Sequence, residues 1–370
     1  MRRASGPSGR WPSFDGVRAL AVLAVMTYHL GLLPGGYLGV DVFFVLSGFL
    51  ITWILISEHE ASGLISYRMF YMRRALRLFP ALAALIAVSV VVVLVDGRYA
   101  PYRIPTLEAV PFVVLYSGNW VVAFTNQATT AFTLGLLGIT WTLAIEEQFY
   151  LFWPLTLARL LKKCTRQQIA ALLAGIAVLE MVVRAAFNAS DILWFRADAS
   201  TLTHSDGLLL GSALALLWVH HEASSFWPMV KRVAPVVGWV SAITLLMVMV
   251  VGDSNGSSLW IVLAECAAVG LLVDLLTRPA SPLSMLLQLT PLQWIGKRSY
   301  GCYLWHWVIF TLVASCSWPK WATLSIDFPA TLAVAALSFR FIECPFLERK
   351  RKCMSGNTEV ALPASTHASR

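Results

Sequence analysis

The segment Arg18-Ala19-Leu20-Ala21-Val22-Leu23-Ala24-Val25-Met26-Thr27-Tyr28-His29-Leu30-Gly31-Leu32-Leu33 leads into Pro34-Gly35-Gly36. Between Arg18 and Asp41 the only ionisable side chains are His29 and two tyrosines. An α-helix needs about 20 apolar residues, at 1.5 Å each, to cross a bilayer, and this run supplies them. Comparable runs follow at 42–57, 79–95, 142–161, 167–187, 205–219, 233–251, 257–274, 299–317 and 325–343. Composition agrees, with 58% of the 370 residues hydrophobic, 13% charged and a mean hydropathy of +0.70. Soluble domains carry about 25% charged residues. A soluble enzyme, a secreted disulfide scaffold and a disordered tail are excluded. The expected fold class is an all-α polytopic membrane protein.

Residues 110–124 are apolar but short, and they contain Pro111 and Asn119. Lys and Arg residues are retained on the cytoplasmic side, so their distribution decides whether this segment crosses. With 110–124 placed on the outer surface there are about ten crossings, and both termini are cytoplasmic. The group Arg68 to Arg77, the run Arg159 to Arg166, Lys297, Arg298 and the basic C-terminal end then share the inner face. Counting 110–124 as a crossing reverses everything after it. The net charge of +8, from 28 Lys+Arg against 20 Asp+Glu, therefore needs no nucleic acid. The six cysteines show no CxxC or metal-ligand spacing. Residues 1–13 are expected as a cytoplasmic tail before an uncleaved first helix, 14–347 as one membrane domain and 348–370 as a basic cytoplasmic tail.

Ionisable groups at membrane depth are costly and normally face a bundle interior or a pathway. Here they are Arg18, His29, Asp41, Glu146, Glu147, Glu180, Glu265, His306, Arg340 and Glu343. Arg18 and His29 lie close to three turns apart, on one face and roughly 16 Å apart along the axis. His29 suits proton transfer near neutral pH, or it serves as a hydrogen-bonded packing group. Arg73, Arg74 and Arg77 would sit side by side on a helix, suited to a polyphosphate ligand or to anionic lipid headgroups. Glu146 and Tyr150 share a helical face, and the adjacent Glu147 points about 100° away. One of these carboxylates could orient His29, as an acid does in a triad, or could be buried in protonated form. His306, in Tyr303-Leu304-Trp305-His306-Trp307, reads equally as structural or functional.

At these residues the chain resembles the integral-membrane acyltransferase-3 family, which O-acylates sugars, surface glycans and some natural products. The resemblance rests on Phe14-Asp15-Gly16-Val17-Arg18 with His29 beyond it, and on Gly39-Val40-Asp41-Val42-Phe43-Phe44-Val45-Leu46-Ser47-Gly48. Arg73-Arg74-Ala75-Leu76-Arg77, Trp141 to Tyr150, Gly296 to His306 and Phe341-Ile342-Glu343-Cys344-Pro345 complete it in order. It covers about residues 14–347. It implies that His29 is the catalytic base, that Arg18 is required, and that the arginines bind an acyl-coenzyme A donor, most simply acetyl-coenzyme A. One departure is His204, which stands before Asp206-Gly207-Leu208-Leu209-Leu210-Gly211 where the family often has an arginine. Many relatives continue into a hydrolase-like extracytoplasmic domain, which is not expected here.

The implied activity is transfer of an acyl group to a hydroxyl of a sugar on a surface glycan, lipid-linked precursor or secreted natural product. The implied setting is the bacterial cytoplasmic membrane. Glu146 is the first choice for orienting His29, ahead of Glu147 and Asp41. Tyr150, His306 and Glu343 are further candidates, and no metal site is expected. The competing class is a transporter or flippase for a polar or anionic substrate, which also needs charges around a central path.

Overall fold

The computed structural model describes residues 11–125, 133–189, 196–219, 225–253, 258–316 and 318–348. Most of the two expected tails lies outside the described residues. Every regular element among the described residues is helical.

α1 (Pro12–His29) is apolar around most of its circumference and is packed on nearly every side, with Ala19, Ala21, Val22, Val25 and Met26 all buried. Pro12 opens it in the first turn, where a missing N–H costs nothing. α1 divides two core regions. On one side are α3 (Tyr67–Val95), α4 (Ala100–Val114), α5 (Gly118–Phe124) and α13 (Ser299–Ala314). On the other are α2 (Gly39–Ser62), α9 (Trp227–Val251), α10 (Ser258–Thr277) and α11 (Pro282–Leu287). A third region joins α2 and α3 to α6 (Thr140–Leu160), α7 (Arg166–Asn188) and α8 (Asp206–Trp218). The remaining helices are α12 (Thr290–Gly296) and α14 (Lys320–Ser338), which leads into a π-helical turn at Phe339–Glu343.

Glycine sets the tightest of these contacts. A Cβ on Gly48 of α2 would lie 2.0 Å from the Leu208 carbonyl oxygen of α8, and one on Gly211 would lie 2.0 Å from that of Val45. α2 and α8 therefore touch backbone to backbone, as small residues permit between membrane helices. Outward faces are apolar: Val88, Val91 and Leu94 on α3, Val182 on α7, and Val240, Ile243 and Met247 on α9 are exposed. Charges turn inward instead. Fully buried Arg184 of α7 donates to Asp206 of α8 at 2.8 Å. Among the described residues, six helical stretches are long and apolar enough to cross a membrane. The protein is a multi-pass helical membrane protein.

One expectation is revised. The third helix does not begin near residue 79; it starts at Tyr67, so the arginine group is its first turns. Pro80 removes one hydrogen-bond donor but does not end the helix. Within 110–124, read from the sequence as a short non-crossing stretch, α4 ends and α5 begins across a turn in which Tyr116 adopts φ 49°.

Candidate functional site

A cavity of about 260 Å³ lies between α1, α2, α3, α6 and α13. Arg18, Arg74 and Arg77 line one end, Ser47, Glu146 and Tyr150 its side, and Thr142 and Tyr303 its far end. A second cavity of about 360 Å³ adjoins it and shares Arg18, Leu50, Arg77, Ser299 and Tyr300. Trp11, Phe14, Lys297, Phe339 and Glu343 line this second space.

Helical spacing explains the side wall. Glu146 and Tyr150 are one turn apart on α6, and the Tyr150 hydroxyl donates to Glu146, as does Ser47 from α2. Glu147 projects in another direction and accepts from Arg74 at 3.0 Å. The Arg74 guanidinium lies over the Tyr150 ring, 3.4 Å from its centroid, so the two acidic residues are tied into one polar wall. Sequence reasoning anticipated the shared Glu146–Tyr150 face.

The arginines separate. Arg73 turns away from both cavities to Glu58, which accepts from it at 2.9 Å. Arg77 lines both cavities and makes no hydrogen bond or ion pair among the described residues. Arg18 also lines both, held loosely by Asp15 at 3.7 Å. Exposed Arg77 and partly buried Arg18 thus form a cationic rim drawn from two helices. Of the three arginines read from the sequence, Arg74 and Arg77 line the first cavity and Arg73 does not.

His29 is the last residue of α1, half-buried, three turns beyond Arg18 on that helix. Tyr303 stands between the cavity and this end, with its hydroxyl 2.6 Å from Thr142 Oγ1 and donating to the Ile139 carbonyl at 3.0 Å. Behind Tyr303, His306 Nε2 is 3.2 Å from His29 Nδ1. Trp307 packs edge-on to His29, with centroids 5.1 Å apart. Among the described residues no carboxylate meets His29. Glu146 is occupied by Ser47 and Tyr150, Glu147 by Arg74, and Asp41 by His204 Nε2 at 2.7 Å. The side chain that meets His29 Nδ1 is a second histidine, where the sequence reading expected a carboxylate. Glu343 is buried and lines the second cavity.

Ser47, Thr142, Tyr300, Tyr303 and Lys297 were not singled out from the sequence. A signal existed for α13: residues 299, 303 and 306 recur at helical spacing, so one face carries Ser299, Tyr303 and His306.

The acyltransferase-domain family Acyl_transf_3 matches residues 11–342. The chain is 35% identical over 363 residues to the peptidoglycan O-acetyltransferase OatA of Listeria monocytogenes, covering 93% of this chain and 57% of that protein. It is 32% identical to a putative O-acetyltransferase of Staphylococcus aureus strain COL, covering 93% and 58%. It is 33% identical to the putative peptidoglycan O-acetyltransferase YrhL of Bacillus subtilis, covering 90% and 54%. The chain therefore spans little more than half the length of these curated relatives. No solved structure matches it. Because the family match runs unbroken through the arginine rim, the polar wall and the histidine pair, this chain belongs to the acyltransferase-3 family.

Proposed function

We propose that the protein is a membrane O-acetyltransferase that moves acetyl from acetyl-coenzyme A to a sugar hydroxyl of a cell-wall glycan. The observation that carries this reading is the placement of Arg18 and Arg77 beside one cavity and of half-buried His29 farther along the Arg18 helix, with Tyr303 lining the cavity on that side. The coenzyme's phosphates meet Arg18 and Arg77, whose guanidinium groups suit phosphate oxygens. The adjoining cavity takes the nucleotide, beside Trp11, Phe14 and Lys297. The pantetheine arm enters the narrower cavity, where Glu146 accepts from its amide N–H groups. The relatives' names support a peptidoglycan acceptor, and half-buried His29 beside Trp307 supports its approach from the far face.

In the chemical step, His29 Nε2 takes the proton of the acceptor hydroxyl as its oxygen attacks the thioester carbonyl carbon. A carbon–oxygen bond forms, the carbon–sulfur bond breaks, and the leaving thiolate recovers the proton from His29. Tyr303 has to move aside for the thioester to reach His29, because its bonds to Thr142 and Ile139 close the cavity. The arrangement also supports the topology expected from charge, with about ten crossings and cytoplasmic termini. Arg18, Arg73, Arg74 and Arg77 then lie at the cytoplasmic side and His29 toward the outside.

Incubating purified protein with radiolabelled acetyl-coenzyme A and soluble peptidoglycan glycan fragments tests the reaction class. Base-labile label on the glycan is expected. Uptake of intact donor or glycan into vesicles without ester formation would favour transport and overturn the reading.

A further inference from the structure

Backbone carbonyls fix the protons of the histidine pair. On α13, His306 Nδ1 lies 2.6 Å from the Tyr303 carbonyl oxygen and 3.3 Å from that of Cys302. A carbonyl only accepts, so His306 carries its hydrogen on Nδ1 and a lone pair on Nε2. On α1, His29 Nδ1 lies 3.0 Å from the Val25 carbonyl oxygen, which places the His29 hydrogen on Nδ1 as well. The two assignments agree with each other: the His29 Nδ1–H also points to the His306 Nε2 lone pair at 3.2 Å. The reverse assignment would set lone pairs against carbonyl oxygens on both helices. His29 Nε2 is left with its lone pair free.

We propose that His306 is the positioning residue for His29, resting on the reading of His29 as the base. It holds His29 in the tautomer whose Nε2 accepts a proton. It also accepts the Nδ1–H bond that strengthens when the imidazolium forms. No proton leaves His306, and both imidazoles start and end neutral. Catalytic triads place a carboxylate at this point. Here the site is enclosed by Tyr303 and Phe310, with ring centroids 5.6 Å and 5.5 Å from His306. A neutral acceptor avoids the desolvation cost that an unpaired carboxylate would carry there.

Two amides separate positioning from packing. In His306→Gln the amide reaches the place of Nε2 and restores an acceptor for His29. In His306→Asn the amide reaches only the place of Nδ1, keeping a bond to the helix carbonyls but leaving His29 without its partner. His306→Asn and His306→Leu should lower kcat by about 10²-fold, the scale of a mispositioned general base, with KM for acetyl-coenzyme A within about twofold of wild type. His306→Gln should stay within about tenfold of wild type. Equal losses in the Gln and Asn variants, or wild-type kcat in His306→Asn, would overturn the proposal while His29→Ala remained inactive. An active His29→Ala protein would overturn the base assignment and the proposal with it. Monodisperse elution in detergent for the Gln and Asn variants confirms that both are folded.

Discussion

Arg73 and Arg77 are one turn apart on α3 and face different surroundings. Arg73 is paired with Glu58, while Arg77 is unpaired among the described residues at the junction of two cavities. Charge-assisted hydrogen bonds contribute about 1.5–3 kcal/mol each, so Arg77→Ala should raise KM for acetyl-coenzyme A by roughly tenfold or more. Arg73→Ala should change it by less than about twofold, as a partly exposed ion pair is worth little. Steady-state kinetics at two salt concentrations checks both, and equal effects would return the cluster to a shared role. Burial gives a second test at this scale. Arg184 and Asp206 are both fully buried, so Asp206→Ala breaks a buried ion pair and should cost about 3–5 kcal/mol. A thermal midpoint in detergent that does not fall would contradict this. The sequence made the Glu146–Tyr150 face legible because helical spacing is local. It left the partner of His29 illegible because His306 is 277 positions away and meets it only through helix packing.

Helix packing also explains which elements could be read in advance. The expected run 167–187 became Arg166–Asn188, since a capping box at Thr165 and Gln168 marks its start. The beginning of α3 was missed because its first turns carry Arg68, Arg73, Arg74 and Arg77, which apolar counting treats as loop. The α2–α8 contact was not legible either, as glycine at 48 and 211 has no meaning until the facing backbone is known. It carries a prediction. Gly211→Val forces a side chain into the Val45 carbonyl and should destabilise by more than about 3 kcal/mol, beyond ordinary overpacking. Gly175 on α7 has nothing within 4 Å of its Cβ position, so Gly175→Ala should be neutral or stabilising by about 0.5–1 kcal/mol. Equal melting behaviour of the two variants would refute the backbone-contact account.

At the scale of the whole molecule, sparse charge does two jobs. In the proposed topology most Lys and Arg line one membrane face. At depth Arg184, Arg74 and Asp41 are paired, Arg18, Arg77, Glu146 and Glu343 border the cavities, and buried Asp327 does neither. In a background without the six native cysteines, Leu64→Cys, just past α2, should react with an impermeant maleimide only from the cytoplasmic side. Gly97→Cys, just past α3, should react only from the outside. Labelling of both from one side would reverse the topology. In the proposed reaction a donor bound at the arginine rim meets an outside acceptor at His29. The most direct test uses sealed right-side-out vesicles loaded with radiolabelled acetyl-coenzyme A, with glycan fragments outside. Wild-type protein should place base-labile acetyl on the external glycan, and His29→Ala should place none. Label on the glycan only when donor and glycan share one compartment, or equal transfer by His29→Ala, would rule out transfer across the membrane at His29.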